Sequence, residues 1–265
     1  MSTAAVVPLR LRSTVALALA SAVGLVGFFW PFFVEPGAAL DSSHAGDAPF
    51  LFVAILPLLA AIVLAELTSG GMDAKAVAML GMLSAVGGAL RALGPGTAGL
   101  EPSFAVIILG GRVFGRGFGF VLGATTLFTG ALITGGVGPW LPFQMMAAGW
   151  VGFLAGCLPR ASGRREVAVV GAYAALAGLG FGMVMNLWFW PFAAYGPEVT
   201  YVAGDPLIDN ARRYAAFYVT TSLLWDLCRG LMSLLVLLVA GSALLRALRR
   251  AGRRAAFGAS AVFER

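Results

Sequence analysis

Hydrophobic positions run in eight blocks along this chain, roughly 14–33, 50–67, 74–93, 103–115, 117–134, 143–158, 167–190 and 214–245. Glycine, proline, arginine and short polar stretches separate them. Several blocks approach the ~18–20 apolar residues that a helix needs to cross a bilayer. The pattern therefore predicts an all-α integral membrane protein. The first block follows Arg10 and Arg12, as a signal peptide would. Its apolar core is longer than the usual ~7–15 residues, which predicts a retained helix. The fourth block is short: thirteen helical residues reach only ~20 Å at ~1.5 Å each, against a core of ~30 Å. It should be an interior or tilted element beside a cavity, or a re-entrant loop, with neighbouring helices burying its ends.

Charge placement tests the crossings. With a cytoplasmic N-terminus and eight crossings, 14 of the 18 Lys and Arg fall inside: Arg10, Arg12, Lys75, Arg112, Arg116, Arg160, Arg164, Arg165, five between Arg246 and Arg254, and Arg265. The outside loops then hold Arg212 and Arg213 and seven acids, Glu35, Asp41, Asp47, Glu101, Glu198, Asp205 and Asp209. This satisfies the positive-inside rule. Merging 103–134 into one crossing would put Arg160, Arg164 and Arg165 outside, so two segments are expected, with both termini cytoplasmic.

Composition agrees: 60% of the residues are hydrophobic, 11% are charged and mean hydropathy is +0.90. The net charge of +6 does not imply nucleic acid, because the arginines lie between apolar blocks and in the tail. Cys157 and Cys228 have no zinc spacing and read as small hydrophobes. His44, the only histidine, lies beside Asp41 and Asp47 in a polar stretch, and an ordinary solvated loop is expected there rather than a metal site. Rhomboid-type proteolysis needs a helical serine with a histidine partner, and the only histidine lies in that polar stretch, while singly scattered acids do not form the paired aspartates of prenyl transfer. No phosphate loop occurs, so uphill transport would draw energy from another subunit or an ion gradient. No metal and no cofactor are expected.

Five features are candidates for function. Ala74, Ala78, Gly81, Ala85 and Ala89 recur every three or four residues, forming a small-residue stripe for close helix packing, either within the bundle or on a partner subunit. Arg91 ends that helix and either snorkels to the outer interface or lines an outward pocket. The turn GGRVFGRGFG, Gly110 to Gly119, should face the cytoplasm; its arginines set topology and its glycines suit close backbone approach. Asp226 and Arg229, mid-block at i,i+3, are costly in a membrane and should pair inside the protein, either as a structural pair or in contact with substrate. Aromatic residues cluster in NLWFWPFAAY, where Asn186, Trp188 and Trp190 precede Pro191 at an outer helix end. With Trp140 and Gln144 of GGVGPWLPFQMMAAGWVGFLAG they form either an interfacial belt or an outward pocket. Pro139 and Pro142 stiffen the lead-in to that helix.

From Ala74 onward the chain resembles the substrate-binding S components of energy-coupling factor (ECF) transporters. The small-residue helix ending in Leu90-Arg91, then PSFAVIILGGRVFGRGFGFVLGA, then GPWLPFQMMAAGWVGFLAG carry the resemblance in order and spacing. It implies a six-helix core at 70–245, with two extra transmembrane helices in 1–69 and a basic cytoplasmic tail at 246–265. It also implies a non-enzymatic subunit that captures a vitamin or related micronutrient outside. That subunit would dock through the small-residue stripe on a membrane coupling subunit driven by two ATPases. The chain looks like an actinobacterial-type branch associated with cobalamin (corrinoid) uptake; riboflavin, a pterin or a pyrimidine suits Trp, Met, Gln and Asn walls nearly as well. The competing readings are a membrane enzyme acting on lipid or isoprenoid and a non-transport scaffold.

Overall fold

In hydrocarbon a backbone finds no water, so an apolar block satisfies its own amides by forming a helix. The computed structural model describes residues 9–32, 48–68, 72–94, 99–193 and 195–255, and every regular element among them is helical. They are α1 (Leu11–Phe29), α2 (Ala48–Thr68), α3 (Ala74–Arg91), α4 (Ser103–Phe114), α5 (Arg116–Thr134), α6 (Leu141–Cys157), α7 (Gly163–Phe189), α8 (Leu207–Thr221) and α9 (Leu223–Ala255), with 3-10 turns at Trp30–Phe32 and Trp190–Phe192. Among the described residues, five stretches are long and apolar enough to cross a membrane: Leu11–Phe32, Ala74–Arg91, Arg116–Thr134, Gly163–Phe192 and Leu223–Ala255. The protein is an all-α, multi-pass membrane protein. His44, Asp41 and Asp47 lie outside the described residues, as do the last ten residues of the basic tail.

The short fourth block becomes the centre of the bundle. α4 has 12 residues, ten of them buried, and α3, α5, α6, α7 and α9 pack around it. Its junction with α5 is Gly115, whose φ of 112° is a left-handed-side conformation that a Cβ disfavours. Just beyond the turn, backbones touch: a Cβ on Gly111 or Gly119 would overlap the carbonyl oxygen of Gly152. The glycines of the GGRVFGRGFG turn thus set the spacing of α4, α5 and α6.

α1 and α2 pack together and onto α6 and α7. Phe28 of α1 meets Phe143 and Trp150 of α6 at ring-centroid distances of 5.2 and 5.5 Å, and Trp150 donates to Ser21 Oγ at 2.9 Å. α3 packs on α5 through Ala76, Leu80, Leu83, Ser84, Gly87 and Gly88, with Ser84 and Thr125 hydroxyls 2.7 Å apart. Ala74, Ala78, Gly81, Ala85 and Ala89 occupy the opposite face and are all exposed.

One expected boundary is corrected. The block 214–245 is not one helix, because Ser222 leaves helical geometry (φ −128°, ψ −26°) between α8 and α9. The two stay linked by Ser222 N–H to the Tyr218 carbonyl (3.0 Å) and Asp226 N–H to the Ser222 carbonyl (3.1 Å). α8 reaches back to Leu207 and is amphipathic, carrying Asp209, Asn210, Arg212 and Arg213. Asp226 and Arg229 therefore stand in the first two turns of α9 rather than mid-helix. There they sit near the outer end of the bundle, within reach of polar neighbours.

Candidate functional site

A cavity of about 250 Å³ opens at the bundle end that the charge pattern assigns to the outside, lined by Arg91, Gly94, Gly99, Glu101, Thr134, Trp225 and Arg229. Three helix ends and one connection build it: the C-terminus of α3, the C-terminus of α5, the first turns of α9, and the link from α3 to α4. Arg91 does not snorkel outward. Its aliphatic stem lies against Gly130 of α5, where a Cβ would overlap the Arg91 Cδ. Its guanidinium then donates to Gln144 Oε1 on α6 at 2.8 Å and lies 3.8 Å from Glu101.

Glu101 bridges the two arginines, because Arg229 Nε also approaches it at 3.3 Å. Arg229 pairs with Asp226 as its i,i+3 spacing predicts and lies over Phe104 and Phe181, 5.6 and 5.1 Å from their centroids. Aromatic faces attract a guanidinium, so its orientation is fixed by two acids and two rings. Asp226 is 3% exposed and packs on Gly182, where any Cβ would overlap its carboxylate. Asp226 thus sits behind Arg229, while Arg229 lines the cavity. Asp226→Ala should lower folded yield modestly, by ~1–3 kcal/mol of stability, since Arg229 keeps Glu101. Thermal unfolding of the detergent-purified variant checks this.

The other aromatic and amide residues go elsewhere. Trp140 is 40% exposed, and its indole donates to the Gly136 carbonyl of its own loop at 3.1 Å. Asn186 accepts from Ser222 Oγ at 3.0 Å, pinning α7 to the α8–α9 junction. Trp188 is buried between Phe143 and Phe192. Trp190 is fully buried in a second aromatic core with Tyr201 and Phe217, and its indole donates to the Val199 carbonyl at 2.6 Å. Of the six expected binding residues, only Arg91 lines the cavity and only Gln144 is bonded to it. Glu101 and Trp225, which sequence reasoning did not select, complete the site. Glu101 had one signal: it is the only acid in the α3–α4 connection.

A second charged cluster closes the opposite end. Glu166, 2% exposed, accepts from Arg112 Nε at 2.8 Å and from Arg249 at 2.6 and 2.9 Å. Arg112 also donates to the Leu158 carbonyl at 2.9 Å. Arg112 and Glu166 therefore tie α4, α6, α7 and α9 together at the end that the charge pattern assigns to the cytoplasm.

These features define a multi-pass helical protein with a polar cavity at its outer end and an exposed small-residue helix face. The family model described as the substrate-specific component of ECF transporters matches residues 75–241. The chain belongs to that family. The match runs from the start of α3 into α9 and leaves α1 and α2 outside it. Neither a curated protein nor a solved structure matches the chain. As a member of the family it is a multi-pass cell-membrane subunit of a transporter. Such subunits bind a small-molecule substrate and work with membrane and ATPase subunits.

Proposed function

We propose that the chain captures a vitamin or related micronutrient from outside in the Arg91–Glu101–Trp225–Arg229 cavity, without enzymatic chemistry of its own. It delivers the ligand by docking α3 on a membrane coupling subunit driven by two ATPases. The observation that carries this reading is the cavity itself: convergent charged groups and an indole at the outer end of a helical bundle. In this reading residues 70–245 form the binding and docking unit, 1–69 an appended helical pair, and 246–265 a basic cytoplasmic tail.

Site chemistry narrows the ligand. Arg91 and Arg229 offer fixed donors, Glu101 an acceptor, and Trp225 a flat apolar wall. This suits a compact ring system rich in carbonyl or carboxylate oxygens. Small-molecule sites usually enclose ~300–1,000 Å³, so about 250 Å³ fits a pyrimidine or pterin better than a corrinoid. A corrinoid would require the Arg91–Gln144 and Arg91–Glu101 contacts to part.

Calorimetric titration of the purified protein against riboflavin, a pterin, a pyrimidine vitamin and cobalamin tests this directly. One compact member should bind at one per chain. Arg91→Ala should weaken it by about 10- to 150-fold, the equivalent of a charged hydrogen bond of ~1.5–3 kcal/mol. Tight binding of cobalamin alone would contradict the size argument. Binding of no member would contradict the proposal as a whole.

A further inference from the structure

A second cavity of about 380 Å³ lies between α1 and α6, remote from the outer site. Its walls are Leu17, Ala18 and Leu25 of α1 facing Trp150, Phe153 and Leu154 of α6, and Arg116 stands at its cytoplasmic end. Two hydroxyls also line it, but both are engaged within the protein. Thr14 Oγ1 donates to the Arg10 carbonyl at 3.0 Å, and Ser21 Oγ accepts from the Trp150 indole at 2.9 Å. The groove is therefore apolar along its length and cationic at one end.

We propose that this groove holds one acyl chain of an anionic phospholipid of the cytoplasmic leaflet, with Arg116 against the headgroup phosphate. Three observations converge on that occupant. Leu9, just before α1, and Leu25 mark the ends of the groove, and the helical part from Leu11 to Leu25 alone is about 21 Å long at ~1.5 Å per residue. One leaflet, headgroups included, is ~20–22 Å deep. About 380 Å³ over that length averages ~18 Å² in section, far too thin to admit a helix of ~10–12 Å diameter. Arg116 is exposed and has no acidic partner among the described residues. Arg10 and Arg12, exposed around the first turn of α1, add positive charge at the same end. Basic clusters between helices on the cytoplasmic side attract anionic headgroups.

Native mass spectrometry of the full chain, supplemented in detergent with dioleoyl phosphatidylglycerol or dioleoyl phosphatidylcholine, tests the proposal. The wild type should retain one phosphatidylglycerol per chain and hold phosphatidylcholine about tenfold less well. Arg116→Glu should abolish the headgroup preference. Ala18→Trp, which fills the groove from an exposed position, should lose the lipid while keeping the same unfolding temperature. Equal retention of the two lipids, or undiminished phosphatidylglycerol on Ala18→Trp, would overturn it. A dimer that Ala18→Trp dissolves would also overturn it, since the groove would then be a protein interface.

Discussion

Ala85→Trp is expected to abolish substrate uptake in cells while leaving substrate binding intact. The reason is geometric. Ala85 lies on the face of α3 directed away from α5, and a Cβ added at its stripe neighbour Gly81 would meet nothing within 4 Å. An indole on this face has room in the isolated subunit. Surface substitutions of that kind usually change stability by under ~0.5 kcal/mol, so calorimetric affinity should stay near wild type. Against a partner helix the same indole is ruinous, because small residues are what let two membrane helices approach closely. Co-purification with ATPase subunits should fall with uptake. The extra helices leave this face exposed, α1 packing on α6 and α7 and α2 on α6 and α5. Uptake at wild-type rate would exclude α3 as the docking face, whereas loss of folding would mean that the stripe packs within the bundle.

The largest stability effect is expected at the cytoplasmic end. Glu166→Ala removes the one carboxylate that pairs with both Arg112 and Arg249 among the described residues. Arg112 has a side-chain exposure of 8%, so its charge would be left buried and uncompensated. Breaking such a pair from one side costs about 3–5 kcal/mol. Arg249 is 39% exposed and water screens it, so Arg249→Ala should cost under ~1 kcal/mol. The double replacement Arg112→Met with Glu166→Leu should recover most of the loss, because a packed apolar pair replaces buried ions without penalty. Unfolding temperatures of the four purified proteins give the ranking. Equal losses for Glu166→Ala and Arg249→Ala would show that burial does not set the cost.

Much of this was legible in the sequence because a membrane writes its constraints locally. Seven helices followed block by block while the eighth block hid two, and the interior place of α4 followed from its thirteen-residue block. The small-residue stripe lay on one face because its spacing is helical, and the structure places that face outward. The pairing of Asp226 with Arg229 followed from one helical turn of separation. What escaped was non-local. Glu166 lies 54 residues from Arg112 and 83 from Arg249, and no periodicity links such positions; Arg249 read simply as tail. The α8–α9 break falls in Thr-Thr-Ser-Leu-Leu, which contains neither proline nor glycine. Trp190 reads as part of a belt or a pocket, yet Tyr201 from the polar stretch and Tyr214 and Phe217 from the start of the last apolar block bury it. Glu101 joined the site because the fold brings Arg91 and Arg229 to either side of it.

The central claim is that substrate occupies the outer cavity, and filling that cavity tests it most directly. Thr134 lines it from the exposed C-terminus of α5, so Thr134→Trp should insert an indole without disturbing the core. The measurement is calorimetric titration of wild type and Thr134→Trp with whichever vitamin binds the wild type. At least a tenfold loss of affinity, ~1.4 kcal/mol, with an unchanged unfolding temperature is the predicted result. Equal affinity for the two proteins would place the substrate elsewhere and contradict the account.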